Sequence, residues 1–471
     1  MRAVTIVFRP LLSLALFAPL LPAQPFRAGA AEVRITPPLG TPLGGNYVLR
    51  PAAAIHDELY AKALVLQVES VKAALVALDV VTVDRETVEA ARALIVDQTG
   101  IPPRYVMISA THTHSGPITG SSTHHAWAGA SLPLARQYRA QFPSLIAEAV
   151  RKAHAGLAAS TARAGVGQEH SISINRRWLK AGGGTDWNRT NTPLPADNLV
   201  RPLGPIDPDI NVLSFDSPGS KPIATYVNFA VHANCVGGAI VSADYPATLA
   251  RLLAVRDPNM VTLFTNGAAA NINPLHLREG RGWQGTARAQ RIGAVLAAGV
   301  LKILDRMQPL VPNRIEAASR LVSLPLATSP PEETEWARQI AQSFGKPGQA
   351  PFLDLVKASR VLDVYRWGGR PLDAEVQVIA LGNQVAWVGV PGELFVELGL
   401  AIKRASPFPF TIVVELANGS MNYFPNRKAF PEGHYEPVST RFAPGAGESL
   451  VDAATDLVLE LHNKTGRNRS Q

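Results

Sequence analysis

Apolar runs bounded by Gly, Pro and short polar clusters alternate along this chain with longer stretches in which apolar residues recur at helical spacing. Residues 62–68 and 72–80 read as strands joined by a short Glu/Ser turn, and residues 105–110 as a third. Between them, residues 85–98 have helical periodicity that Gly100 and Pro102-Pro103 stop. A long helix is predicted over 134–157. Strands follow over 210–215 and 223–231, joined through Pro218-Gly219. Residues 246–255 begin as a helix with Pro in the first turn, 261–264 form a short strand, and 286–307 a clear helix. Residues 376–381 and 384–390 predict a hairpin, followed by a helix from Glu393 to about Arg404, a strand over 412–416 and a closing helix over 446–462. Strands and helices mixed in this order predict an α/β protein with large mixed sheets flanked by helices, folded as a single domain. Residues 180–205 and the Pro-rich piece at 329–331 read as surface loops.

Composition supports a well-buried globular chain: of 471 residues, 46% are hydrophobic and only 17% charged. Its net charge of +8 includes Arg2 and Arg9, and no stretch interleaves Lys/Arg runs with aromatics as a nucleic-acid groove requires. Peripheral contact with an anionic membrane is the most that this charge suggests. Arg2, an apolar run over 11–21 and Pro22-Ala23 make a secretory signal peptide at residues 1–23, so the protein is expected to be secreted or periplasmic. An uncleaved anchor is the alternative. Cys235 is the sole cysteine, which rules out an internal disulfide.

The chemistry-bearing residues cluster at the ends of predicted strands. Ala-Thr-His112-Thr-His114-Ser-Gly-Pro follows the strand at 105–110, where α/β folds collect ligands. Two His at i and i+2 point the same way if the extended conformation continues, and imidazole suits zinc. A structural pair is the competing reading. His232 closes the strand at 223–231, where a lone His is commonly a satisfied core residue. Cys235 follows it and reads as a small buried apolar residue more than as a ligand. Glu393, in Val-Pro-Gly-Glu-Leu-Phe, reads alone as a carboxylate at a helix start.

Taken together, Ala110 to Pro117, Asn228 to His232, Ser-Ala-Asp-Tyr-Pro at 242–246, Pro391 to Phe395 and Asn418 to Tyr423 resemble the neutral/alkaline ceramidases, in order and spacing. Arg-Ile-Thr-Pro-Pro at 34–38 and Gly-Pro-Ile-Asp-Pro at 204–208 extend the likeness to about residues 30–465. The resemblance implies an amide-cleaving catalytic domain over 24–471 holding one zinc ion, without the further C-terminal β-domain common in members that cleave ceramide. By motif, His112, His232, Glu393 and Tyr423 would be the metal ligands. His114 would steady charge or pass a proton beside the metal. Arg176, with Arg177 one residue away, would be the active-site arginine, and Tyr435 a second active-site tyrosine.

Two imidazoles and a carboxylate leave zinc with positive charge and room for water, whose pKa it lowers towards about 7. The implied substrate is a linear amide, including an N-acyl lipid. An esterase, lactonase or peptide-amide hydrolase using the same zinc is the alternative.

One motif departs from the family. Where the ceramidases carry Gly-Asp-x-Ser-Pro-Asn, this chain has Asn271 at the Asp position and Asn273 at the Ser position. An Asn amide is no nucleophile, so Asn273 can offer only a hydrogen bond. A non-catalytic binding protein on the same fold therefore stays open. His56-Asp57 reads as a turn cap or cleft lining, and His124-His125 as substrate-edge or surface residues. His154, His170 and His462 have no motif support.

Overall fold

The apolar strands are apolar on both faces because each main sheet is buried on both sides. The computed structural model describes residues 26–187, 198–274, 285–344, 346 and 350–467; the leader expected at 1–23 lies outside them. In the first sheet the order is Val106–Ala110, Val71–Leu78, Tyr60–Val68, Arg27–Arg34 and Ala158–Ala159. In the second it is Val261–Asn266, Pro222–Phe229, Asp209–Asp216, Thr161–Gln168 and Gln308–Pro309. The third runs Ile315–Leu324, Leu372–Leu381, Val385–Gly389 and Phe410–Val414.

Period-two alternation sends neighbouring side chains into different cores. Ala224 and Tyr226 enter the core shared with the first sheet, whereas Val227 and Phe229 enter one covered by helices Tyr245–Leu253 and Thr286–Leu304. Likewise Val385 and Trp387 face the shared core, while Ala386 and Val388 face the core beneath the closing helix Ala446–Arg467.

Each main sheet contains a parallel pair of neighbours: Val71–Leu78 with Val106–Ala110, Pro222–Phe229 with Val261–Asn266, and Val385–Gly389 with Phe410–Val414. Parallel neighbours require a crossover. Helices Arg85–Thr99, Tyr245–Leu253 and Val396–Ala405 supply the three. Ligand sites in α/β sheets lie beyond the carboxyl ends of such strands. Val81, His112, His232, Asn271, Glu393 and Tyr423 each follow one of these six ends.

Three sequence expectations need correction. Glu393 does not begin a helix: Glu393–Leu394 pairs in parallel with Tyr423–Phe424, and the helix starts at Val396 behind Phe395. Pro391 and Gly392 set this up by turning the chain, so that the Glu393 amide donates to the Asn422 carbonyl at 2.9 Å instead of standing free. The stretch 180–205 is not all loop, because Thr185–Trp187 and Leu199–Pro202 flank Arg177–Lys180 in a small antiparallel sheet. Finally, the Pro-rich piece at 329–331 caps helix Pro331–Ala341, with Pro at the first helical position. That helix and Phe352–Arg366 form an insertion between the paired strands Ile315–Leu324 and Leu372–Leu381. Among the described residues, no helix is long and apolar enough to cross a membrane.

Candidate metal centre and cavity

The strand Val106–Ala110 does not continue extended through the histidine pair. His112 adopts φ +66°, a left-handed conformation that a bulky residue reaches only at a cost. Two side-chain anchors hold the resulting bend. The His112 Nδ1–H donates to the Val81 carbonyl at 2.8 Å, and the His114 Nδ1–H donates to the Gly45 carbonyl at 2.9 Å. Convergence of the pair thus comes from a strained turn, not from the extended geometry expected. His232 follows the same plan, its Nδ1–H facing the carbonyls of Ala269 at 2.8 Å and Ile272 at 3.1 Å.

Because a carbonyl can only accept, each Nδ1 carries the proton and each Nε2 keeps its lone pair. Those lone pairs meet. His114 Nε2 lies 3.3 Å from His112 Nε2, and the coordinating nitrogens of all three imidazoles lie within 4.8 Å of one another. Glu393 Oε2 stands 3.4 Å from both His112 Nε2 and His232 Nε2. Among the described residues, His232 Nε2 and Glu393 Oε2 are buried with no hydrogen-bond partner. Several acceptors converging without a donor in a dry pocket is costly, and a cation between them removes that cost. The donor set therefore fits a divalent metal that takes imidazole and carboxylate, zinc among them. His114 stands close enough to belong to this set, so the geometry does not separate it from His112 and His232.

The charges agree. Burial acts to raise the Glu393 carboxyl, but His112 and His232 outweigh it and hold the group well below the usual carboxylate range. Burial, the neighbouring cation Arg176 and His112 push the His232 imidazole down to about 4 despite Glu393. Burial and the other two imidazoles also push His114 well down. Both groups are in the neutral form a metal needs.

Tyr423 is buried opposite Glu393 in the two-residue parallel ladder. Its phenol is pushed well up by burial, then by the Glu393 carboxylate and Tyr435, with Arg176 opposing. Arg176 lines the same cavity and lies 5.7 Å from the Tyr423 ring centre and 5.6 Å from that of Tyr435. Its Nε donates to Glu436 Oε1 at 2.7 Å and its Nη1 to Asn273 Oδ1 at 3.3 Å. Arg177, the neighbour one residue away, turns from the cavity to Glu436 at 2.8 Å and Glu432 at 3.0 Å. Asn273 thus supplies its hydrogen bond to Arg176. Asn271 is occupied elsewhere: its amide donates to Glu397 at 2.9 Å and its oxygen accepts from the Val396 amide at 2.9 Å.

Above the imidazoles opens a cavity of about 630 Å³, well within the range of small-molecule sites. Aromatic rings form one wall. Tyr435 stacks on Trp187 at 4.9 Å and on Phe352 at 5.7 Å, and Tyr47 meets Phe352 edge-on at 5.5 Å. The lining also includes the polar side chains of Asp84, Arg85 and Arg366. His124 and His125 also line the cavity, from a short helix tied down where Thr123 donates its amide to Asp363 at 2.9 Å.

Other singled-out residues lie elsewhere. Asp57 accepts from Ser242, His154 contacts Lys72 at 2.8 Å, His170 contacts Gln168 and His462 packs on Phe408. Cys235 is buried and free, its thiol raised well above the usual value by burial and Asp244. Sequence reasoning missed Glu436, Trp187, Phe352 and Tyr47. Tyr47, Trp187 and Phe352 sit in no recognised motif and reach the cavity through long-range packing, whereas Glu436 follows Tyr435 directly and is buried against Arg176 and Arg177.

Fold and site together define an α/β scaffold with an imidazole–carboxylate cluster at the carboxyl ends of parallel strands, beneath a partly aromatic cavity. The chain is 23% identical over 418 residues to the neutral ceramidase of Pseudomonas aeruginosa, covering 76% of this chain and 60% of that protein. The crystal structure of neutral ceramidase from Pseudomonas aeruginosa matches with a TM-score of 0.73 at 20% identity, over 93% of this chain and 75% of that one. A ceramidase complexed with C2 matches with a TM-score of 0.72 at 19% identity, over 93% of this chain and 76% of that one. No protein-family model matches the chain. The chain is similar in sequence to a neutral ceramidase and shares the fold of these solved structures. It spans 60% of the length of the curated relative it matches.

Proposed function

We propose that the chain is an exported zinc-dependent hydrolase that cleaves a linear amide of the N-acyl lipid type, as its ceramidase relatives suggest. The observation that carries this reading is the convergence of unpartnered His232 Nε2 and Glu393 Oε2 with the nitrogens of His112 and His114 at the floor of a partly aromatic cavity. Export rests on the charged and then apolar character of residues 1–23.

His112, His232 and Glu393 would hold the metal, with Tyr423 completing the set and His114 beside it. When bound, zinc supplies a Lewis acid and lowers the pKa of water towards about 7. The chain's own groups do the rest. Arg176, held by Glu436 and Asn273, has an unpartnered buried Nη2 with which to receive charge developing on the amide oxygen. His114, anchored through Nδ1, has Nε2 available to take a proton and pass it to the leaving nitrogen. Tyr435 offers a phenolic proton from the cavity wall. Tyr47, Trp187 and Phe352 exclude water along an acyl chain.

Purified protein should contain one equivalent of zinc. It should release amine from N-acyl substrates faster than alcohol from matched O-acyl ones, lose this activity to a chelator and regain it with zinc. Phe352→Ala should raise KM about tenfold for long acyl chains and leave short ones nearly unchanged, the equivalent of about 1.4 kcal/mol of lost apolar contact. Faster ester cleavage, or turnover indifferent to chelation, would overturn the proposal.

A further inference from the structure

A carboxyl group outside every motif above sits between the loops that carry the ligands. Glu415 follows the strand Phe410–Val414, within an apolar run, and is 0% exposed. Burying a carboxyl group is expensive unless something specific holds it. Among the described residues it has no cationic partner in an ion pair. One oxygen, Oε2, accepts the Ala269 amide at 3.1 Å and the Leu394 amide at 3.2 Å; the other, Oε1, is buried and unpartnered.

Those two amides belong to the loops that aim the ligands. Ala269 is the residue whose carbonyl receives the His232 Nδ1–H at 2.8 Å. Leu394 follows Glu393 directly, and its amide points away from the ladder in which the Glu393 and Phe395 amides reach Asn422 and Phe424. The Ala270 amide donates to the Leu394 carbonyl at 3.1 Å, closing the same junction. The loop after Val261–Asn266 and the loop after Val385–Gly389 therefore meet on one oxygen atom. We propose that Glu415 is a positioning residue for the metal centre, clamping the backbone segments that orient His232 and Glu393 so that both reach one cation. The proposal rests on the metal-site reading above. It adds that the framework, and not only the ligands, sets the affinity.

The test uses zinc titrated against a chromophoric chelator, with the visible spectrum of the cobalt(II)-loaded protein as a second readout. Glu415→Gln keeps an acceptor oxygen of the same reach and should bind zinc within about threefold of wild type, with an unchanged cobalt spectrum. Glu415→Leu removes the acceptor and should weaken zinc by about 10- to 100-fold, the range for outer-sphere support of metal ligands. Glu415→Asp, withdrawn by one methylene and unable to span both amides, should also weaken zinc and alter the cobalt spectrum. It carries the test if the leucine variant does not fold. Wild-type affinity in folded Glu415→Leu or Glu415→Asp overturns the clamp, as does equal weakening in Glu415→Gln, which would make charge the determinant. Failure of wild-type protein to bind zinc at all would instead sink the metal-site reading itself, so the two failures are distinguishable.

Discussion

His232→Ala is expected to leave a folded protein that retains almost no zinc and almost no hydrolytic activity. The imidazole is 0% exposed, its Nδ1 is fixed by two backbone carbonyls, and its Nε2 has no hydrogen-bond partner among the described residues. Its place can be filled neither by a neighbouring side chain on the same rigid strand end nor fully by water. Loss of an outer-sphere partner already costs about 10- to 100-fold in metal affinity, so loss of a ligand should exceed about a hundredfold. A bound metal is worth several kcal/mol to the transition state, and each 1.36 kcal/mol is tenfold in rate. On the order of a thousandfold loss in kcat/KM follows. Metal analysis after dialysis, kinetics at saturating zinc and far-ultraviolet circular dichroism test this together. Full zinc occupancy in the folded variant would remove His232 from the ligand set.

Glu436→Leu should cost about 3–5 kcal/mol of stability, because removing one member of a buried charge cluster leaves the others without compensation. Glu436 is 0% exposed and joins Arg176 at 2.7 Å with Arg177 at 2.8 Å, both buried. Arg177 keeps Glu432 at 3.0 Å, whereas Arg176 keeps neutral partners such as Asn273 and no second carboxylate in an ion pair among the described residues. Urea unfolding should therefore show a lower midpoint at an unchanged slope.

The pH dependence of the same three-residue cluster has a definite sign. Burial alone would raise the Glu436 carboxyl, but Arg176 and Arg177 together hold it below the usual value. A carboxyl with a lower pKa in the folded state contributes stability in full above the unfolded value of about 4.3 and loses it as pH falls through the depressed folded value. The stability gap between wild type and Glu436→Gln should thus be constant from neutral pH to about pH 5 and narrow below pH 4. A gap that widens on acidification would contradict the assignment of Glu436 as an ionised partner of both arginines.

The fold class was legible in the residues because hydrophobic periodicity is a local property. The strands at 72–80, 105–110 and 384–390, and the helices at 85–98 and 286–307, lie within a few residues of their observed bounds. Errors arose where a long-range contact overrode local preference. Glu393 follows Pro391-Gly392 and reads as a helix start, yet its amide is taken by Asn422 from another strand end. The stretch 180–205 is polar and Gly-rich, but Trp187 is drawn into a ladder by Arg177 and so to the cavity wall.

The sequence by itself determined which side chains capable of chemistry stand at strand ends, since the position of a His or Glu after an apolar run is written in order along the chain. Only the tertiary structure decided how they meet. The left-handed turn at His112, the carbonyl anchors that free each Nε2, the Glu436 counterion to Arg176 and the single Glu415 oxygen between two loops all join residues far apart in sequence. Such pairings leave no periodic trace, because a buried hydrogen bond is specified by the packing of whole sheets and not by spacing along the chain.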